Sequence, residues 1–214
     1  MTPGAAPAEA AIAVFAKAPV AGAVKTRLAA VLGPDAAASL HAGLVRHALA
    51  AAVAARTGPV TLWCAPDASH PFFERCRDEF GVELAAQRGE DLGARMQAAF
   101  EPAWEARSAL LVMGSDCPAL GAEHLRRAAG ALRDNDAVLV PAEDGGYVLV
   151  GLARPVASLF ESIPWGTGAV MARTRERLER ARASWAELAP LWDVDRPEDY
   201  VRLQRERLLD EVLS

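Results

Sequence analysis

The sequence predicts an α/β fold of three layers, with a mostly parallel twisted sheet between helices and one antiparallel strand. Two observations carry the alternation. Short apolar runs recur along the chain, and segments of helical period separate them. A third observation sets the odd strand. Residues 147–152 follow residues 137–141 after a link too short for a parallel crossover, so this strand runs antiparallel to a neighbour.

Taken in order, residues 11–16 read as a buried parallel strand, ended by a Pro/Gly loop. A short helix over 26–32 stops at Gly33. Pro34 then opens a long helix to about Arg56, with Leu40, Leu44, Val45, Leu49 and Val53 on one side. Strand 59–65, helix 70–80 and a short strand 82–85 follow. A Gly-rich turn over 87–93 opens a helix to about Arg107. Residues 109–113 are the most apolar strand, followed by a helix over 121–133 and the strand pair 137–141 and 147–152. A loop over 163–167 leads to a helix reaching about Ala183. Residues 191–195 read as a last short strand, and Pro197 starts the C-terminal helix. Residues 1–9 read as a floppy tail and 10–214 as one domain.

With 52% hydrophobic and 24% charged residues among 214, the chain is globular in composition and long enough to bury a large core. A formal net charge of −5 argues against a general nucleic-acid binder. No uninterrupted apolar run approaches the roughly 20 residues that span a bilayer, and the N-terminus lacks a signal-peptide pattern. Cys64, Cys76 and Cys117 have neither metal spacing nor even pairing, which fits a reducing cytoplasm.

Against that acidic background, the loop after the first strand is basic. Lys17, Lys25 and Arg27 surround Pro19 and Gly22, and Thr26 opens the next helix. Clustered cations are costly unless an anion visits. Gly22 lets backbone approach a ligand, and the helix start adds free N–H groups. The loop therefore reads as a site for the phosphates of a nucleotide or nucleotide-sugar, with a solvated surface turn as the competing reading. It is not a Walker loop: with Lys25-Thr26 as the Lys-Thr pair, the glycine positions hold Val24 and Pro19.

Three further motifs follow strands, where open α/β sheets collect ligands. Asp116, in Gly114-Ser115-Asp116-Cys117-Pro118, is suited to hold Mg²⁺ or Mn²⁺ against phosphate oxygens, or to cap its turn. Glu143-Asp144-Gly145-Gly146-Tyr147 reads both as a tight turn and as a site, with Asp144 the candidate catalytic residue beside Lys25. Alternation puts Asp193 and Asp195 on one face. Asp195 is the candidate second metal ligand, and helix capping is its competing role. Gln87, Arg88, Asp91 and Arg95 flank a glycine turn and suit base or ribose contacts, or a surface cap. Trp165 suits either stacking on a sugar or base, or plugging the core. His41, His47, His70 and His124 share no spacing and read as structural or solvent-facing.

The opening Phe15-Ala16-Lys17-Ala18-Pro19, with Gly22 and Lys25-Thr26-Arg27-Leu28, resembles the start of the bacterial DUF2064 family. Its members resemble the nucleotide-diphospho-sugar transferase, or GT-A, superfamily. Gly114-Ser115-Asp116-Cys117-Pro118, Asp144-Gly145-Gly146-Tyr147, Pro164-Trp165-Gly166 and Asp193-Val194-Asp195 with Pro197-Glu198-Asp199 are similar to its later motifs, in the same order. The first and last motifs also look like those of 2-phospholactate guanylyltransferase and molybdenum-cofactor nucleotidyltransferases. The resemblance implies a GT-A-like fold. It assigns phosphate binding to Lys17, Lys25 and Arg27, and a divalent metal to Asp116 and Asp195. Gly145, Gly146, Tyr147 and Trp165 are further candidates for nucleotide or substrate contacts. Where many GT-A enzymes carry Asp-x-Asp, this chain has a lone Asp116. That tilts the metal site toward sharing between two distant carboxylates.

The expected function is Mg²⁺- or Mn²⁺-dependent transfer from an activated nucleotide, with a glycosyl group moving from a nucleotide-sugar to a small acceptor. The alternatives are transfer of a nucleotidyl group from a triphosphate to a phosphorylated acceptor, and non-catalytic nucleotide binding. The expected setting is cytoplasmic, with no nucleic-acid or membrane partner and with oligomerisation left open.

Overall fold

In a computed structural model that describes residues 10–156 and 158–213, the predicted alternation closes into a seven-stranded sheet covered by helices on both faces. The expected tail at 1–9 lies outside the described residues. Ala10–Lys17, apolar on both sides, forms the central strand β1. Around it lie β2 (Val60–Ala65), β3 (Glu83–Ala86), β4 (Ala109–Gly114), β5 (Ala137–Pro141), β6 (Tyr147–Leu152) and β7 (Trp185–Glu187). The order across the sheet is β3-β2-β1-β4-β6-β5-β7. Parallel register sets Phe15 opposite Gly114 and Lys17 opposite Ala65, so β1, β2 and β4 end along one edge. β6 is antiparallel to both β4 and β5, as its short link requires.

The period of the strands divides the core. Ile12, Val14 and Ala16 face one layer, with α2 (Pro34–Ala55), α3 (Pro71–Phe80) and α5 (Ala122–Ala131). Ala13 and Phe15 face the other, with α4 (Leu92–Glu105) and α6 (Val170–Arg180). A third cluster joins α1 (Thr26–Leu32) and the start of α2 to Trp192, Val194 and Leu203 of α7 (Pro197–Arg205), with Val212 of α8 (Leu209–Leu213). This satellite matters for function, because it fastens the C-terminal segment beneath the basic loop.

Three expectations are corrected. The segment 191–195 is not a strand: Leu191 makes one bridge to Ala142, and its N–H donates to Pro141. Pro190 offers no donor before it, and β5 is irregular at Val140/Pro141, so the ladder stops there. The last strand is instead β7, three residues long and placed after α6 ends at Arg180 rather than Ala183. So short a segment has no periodic signal. Finally, α2, at 22 residues, is long and apolar enough by length and composition to cross a membrane, although no uninterrupted run is. Here it lies against the sheet, with Leu44, Val45 and Leu49 buried.

Asp136 ties the starts of β5 and β7 to the turn after β6. Its carboxylate accepts from the Ser184 N–H at 2.8 Å, from the Ser184 hydroxyl and from both sides of the Arg154 guanidinium. The Arg154 hydrogen bond, with Ser184, holds the carboxyl down at about 2, against an ordinary 3.8. The ionised form is therefore favoured in the folded state. Its contribution is fully present above about pH 4 and is lost as pH falls toward 2. Asp136→Asn is expected to cost about 1–2 kcal/mol at pH 7 in urea unfolding. The difference from wild type should shrink steadily between pH 4 and 2.

Candidate active site

The edge where β1, β2 and β4 end carries a cleft of about 610 Å³, lined by Lys17, Lys25, Thr26, Arg27, His41, Gln87, Arg95, Asp116 and Asp195 among others. The chain builds it from three crossings of that edge. β1 runs out through Lys17, and Gly22 turns the loop with φ 79°, a conformation that L side chains rarely adopt. β4 runs out through Gly114 into Asp116. The segment 191–195 crosses above both, with the Val194 N–H donating to the Asp116 carbonyl at 2.8 Å. Trp192 and Val194 turn down into the satellite core, which leaves Asp193 and Asp195 on the cleft side. The expected alternation thus survives without a ladder.

Lys25 is the hidden residue of the site. It sits at φ 47° just before α1, with its side chain only 4% exposed. Its Nζ donates to the Val194 carbonyl at 2.6 Å and lies 2.7 Å from Asp116 Oδ1. Burial alone would raise the Asp116 carboxyl. The Lys25 ammonium outweighs it, with help from His41, and holds the group well below the usual carboxylate range. Oδ1 is inaccessible, while the side chain as a whole is 45% exposed, so the carboxylate keeps a free face toward the cleft.

His41 was not legible as a site residue. From α2 it reaches across, with Nε2 3.0 Å from the Lys17 carbonyl and Nδ1 3.8 Å from Asp116 Oδ1. The carbonyl can only accept, so Nε2 carries a hydrogen. His47, on the same helix, lies with Nε2 2.9 Å from the Pro118 carbonyl. Two histidines of α2 therefore hold the loops after β1 and β4. The remaining two fit the structural reading: His70 caps α3 through Nδ1, and His124 is half-buried on α5.

The other sequence candidates separate. Lys17, Thr26, Arg27 and Arg95 open into the cleft. Arg27 forms an ion pair with Asp195. Gln87 lines the cleft, but its amide donates to the Ala16 and Trp63 carbonyls, at 3.3 and 2.8 Å. Asp91 accepts from the Ala94 N–H as the cap of α4. Arg95 donates to the Gly89 carbonyl at 3.1 Å. Tyr147 and Trp165 meet edge to face, and their rings pack against the apolar layer beneath α4 and α6. The Tyr147 hydroxyl points at Met96 Sδ, and burial pushes the phenol far up. Neither residue lines a cavity described here.

Two further cavities join the cleft. One, of about 310 Å³, shares Lys17, Ala23 and Arg95 with it and is otherwise apolar, walled by Ala18, Val20, Val24, Ala65 and Pro66. The other, of about 400 Å³, shares Arg27 and Asp195 and contains Asp144, Asp193, Arg196 and the glycines 166 and 168. Asp144 stands on the β5–β6 turn, its Oδ1 accepting from the Gly146 N–H. Gly145 has φ 91°, and a Cβ there would lie 2.3 Å from the Gly168 carbonyl oxygen, so the turn and the 166–168 wall meet backbone to backbone. Burial, then the charges of Asp144 and Asp116, push the Asp193 carboxyl up to about 6. Turn and site are compatible at Asp144.

This crowding tests whether the residues suit a divalent cation. Carboxylates that repel one another at one edge are relieved by a cation, and Asp116 and Asp195 both face the cleft. Among the described residues, no group of three or more His, Cys, Asp or Glu is disposed to hold a metal. Asp116 and Asp195, each already beside a cation, would leave most of a hard cation's oxygens to phosphate and water.

The family model for "uncharacterized protein conserved in bacteria (DUF2064)" matches residues 48–167, more than half of the chain. The chain belongs to the DUF2064 family. It is similar over 96% of its length to 98% of a Desulfovibrio desulfuricans G20 protein provisionally named a nucleotide-diphospho-sugar transferase, with 30% identity and a TM-score of 0.81. A nucleotidyl transferase from Methanothermobacter thermautotrophicus matches at 17% identity and TM-score 0.62, over 94% of this chain and 98% of that one. The Anaerococcus prevotii 4-diphosphocytidyl-2C-methyl-D-erythritol synthase matches at 10% and 0.61, over 93% and 99%. These last two likenesses show a shared fold. No curated protein matches the chain.

Lys25→Met removes the ammonium while keeping the stem. Asp116 Oδ1 and the Val194 carbonyl then lose their shared partner. Because Asp116 is half exposed, the expected loss is about 2–3 kcal/mol, less than for a fully buried pair. The Asp116 carboxyl should also rise toward its ordinary value, read by carboxyl ¹³C chemical shift against pH. An unchanged titration would show that the pair does not govern that carboxyl.

Proposed function

We propose that this chain transfers a group from an activated nucleotide to a small acceptor, and that the group is a sugar carried on a nucleoside diphosphate. The observation that carries the reading is one cleft in which Lys17, Arg27 and Arg95 stand beside the carboxylates of Asp116 and Asp195. Cations alone suit any anion. Cations beside carboxylates suit an anion that arrives with a metal, which is how phosphates of nucleotides are held. The name of the Desulfovibrio relative supports the same class of donor.

In this reading the apolar cavity beside Lys17 and Arg95 takes the base and ribose, and the cleft takes the phosphates. Lys17 and Arg27 neutralise charge gathering on the leaving phosphates, the term that most lowers the barrier in such transfers. Lys25 acts indirectly. It keeps Asp116 ionised and aimed. Asp116 and Asp195 would hold Mg²⁺ or Mn²⁺, which supplies charge neutralisation to the diphosphate. Asp144, on its turn beside the second cavity, is the candidate group to take the acceptor's proton. The lone carboxylate after β4 favours a second reading, in which a triphosphate loses pyrophosphate and the nucleotidyl group moves instead.

Incubation with Mg²⁺ and panels of nucleotide-sugars and triphosphates separates the readings. Nucleoside diphosphate release is the expected result, and pyrophosphate release would replace it by the second reading. Binding without turnover in every acceptor panel would leave a nucleotide-binding protein. Lys17→Ala and Arg27→Ala are each expected to weaken nucleotide binding about tenfold in thermal-shift titrations, the size of one charge-assisted contact. Asp116→Asn should abolish the Mg²⁺ dependence of that binding. Unchanged affinity in all three variants would move the site elsewhere.

A further inference from the structure

We propose that the cavity beside Asp144 and Asp193 is the acceptor subsite, and that it selects an unphosphorylated polyhydroxyl compound, plain or aminated, over its phosphorylated counterpart. The proposal rests on the cleft being the donor site. It concerns the chemical class of the second substrate, which the donor site leaves open.

The cavity's place comes first. Its volume of about 400 Å³ suits a small molecule. It shares Arg27 and Asp195 with the phosphate cleft and no lining residue with the apolar cavity, which meets the cleft at Lys17, Ala23 and Arg95 instead. A compound seated there abuts the phosphates and not the base.

Its chemistry comes next. Five carboxylates and two guanidiniums line it. Most are already committed. Glu143 accepts from Arg202 at 2.8 Å. Asp195 is taken up by Arg27 and, in the donor-site reading, by the metal ion. Asp199 Oδ2 accepts from the N–H groups of Asp195 and Arg196, at 3.0 and 2.7 Å. What remains is Asp144 and Asp193, which form no ion pair among the described residues, although the Lys25 ammonium acts on Asp193 from a distance, against the single guanidinium of Arg196. The adjoining wall is Gly166, Thr167 and Gly168, which brings no charge. The Thr167 hydroxyl is itself spent on the Pro164 carbonyl at 2.8 Å.

An ionised carboxylate is an acceptor with no hydrogen to give. Asp144 and Asp193 therefore match ligands that donate: hydroxyls and ammonium groups. A phosphate monoester near neutral pH brings two negative charges and acceptor oxygens, and it would meet two carboxylates for one arginine. Like charges juxtaposed in a half-enclosed cavity discriminate strongly against that partner. The cationic end of the cleft accepts phosphates, while this acidic end turns them away.

Matched probes test the idea on the full chain with nucleoside diphosphate and Mg²⁺ present: inositol with inositol 1-phosphate, and glucosamine with glucosamine 6-phosphate. Affinity is read by saturation-transfer NMR, and nucleotide binding is read separately by thermal shift. In at least one pair the unphosphorylated member should bind tenfold or more tightly than its partner. Raising salt from 50 to 500 mM should narrow that gap, because the repulsion is screened. The double variant Asp144→Asn, Asp193→Asn should bring the ratio below threefold. Equal or tighter binding of the phosphorylated members overturns the inference while leaving the donor site standing. So does binding of nucleotide without any probe. A wild-type preference that does not respond to salt also overturns it, whether or not the double variant folds. Failure of nucleotide binding overturns both readings.

Discussion

The buried ammonium of Lys25 is the contact on which the cleft depends. It joins three parts of the chain that share no hydrogen-bonded ladder: the loop after β1, the loop after β4 and the crossing segment at Val194. A buried cation must be paired or it will not stay charged. Here the pairing does two things together. It fastens the roof of the cleft, and it keeps Asp116 ionised while leaving part of that carboxylate exposed. The backbone at residue 25 is left-handed, uncommon for a lysine, and its side chain turns inward.

Around that contact the edge of the sheet has a polarity of its own. An apolar hollow lies at one end, cations gather in the middle, and carboxylates crowd the other end. Each region draws on different elements. The first two come mainly from the β1, β2 and β4 side, and the last from the β5–β6 turn and the 191–199 stretch. The antiparallel strand is what permits this division. β6 starts at the same edge where β5 ends, so a turn of a few residues stands where a parallel crossover would have placed a helix.

Much of this was readable from residues alone. Buried parallel strands announce themselves as apolar runs, and the link 142–146 was too short for anything but a reversal. The four polar motifs do gather at one edge: three follow β1, β4 and β5, where strands leave the sheet, and the fourth crosses that edge without being a strand. What stayed hidden was tertiary. Nothing near His41 in sequence signals that a turn of α2 passes under the loop after β1. Nothing separates Lys25 from Lys17 and Arg27 except which one points inward. Gln87 looked like a base-reading amide, yet it spends both donors on backbone carbonyls. Tyr147 and Trp165 lie in motifs rich in glycine and still pack as core. β7 was missed because three residues are too few to show a period, and 191–195 was misread because an apolar alternating segment can be held by packing without a ladder.

The partnership of Lys25 with Val194 spans 169 positions of sequence. During synthesis the N-terminal residues leave the ribosome long before the segment that completes them. Until then the ammonium has Asp116 at best, and the third apolar cluster lacks Trp192, Val194 and Leu203. The basic loop is thus translated first and finished last. Contacts this distant carry a high loop-closure cost and form late. The third cluster and the Lys25 contact are complete only once the 191–203 stretch has docked on the basic loop.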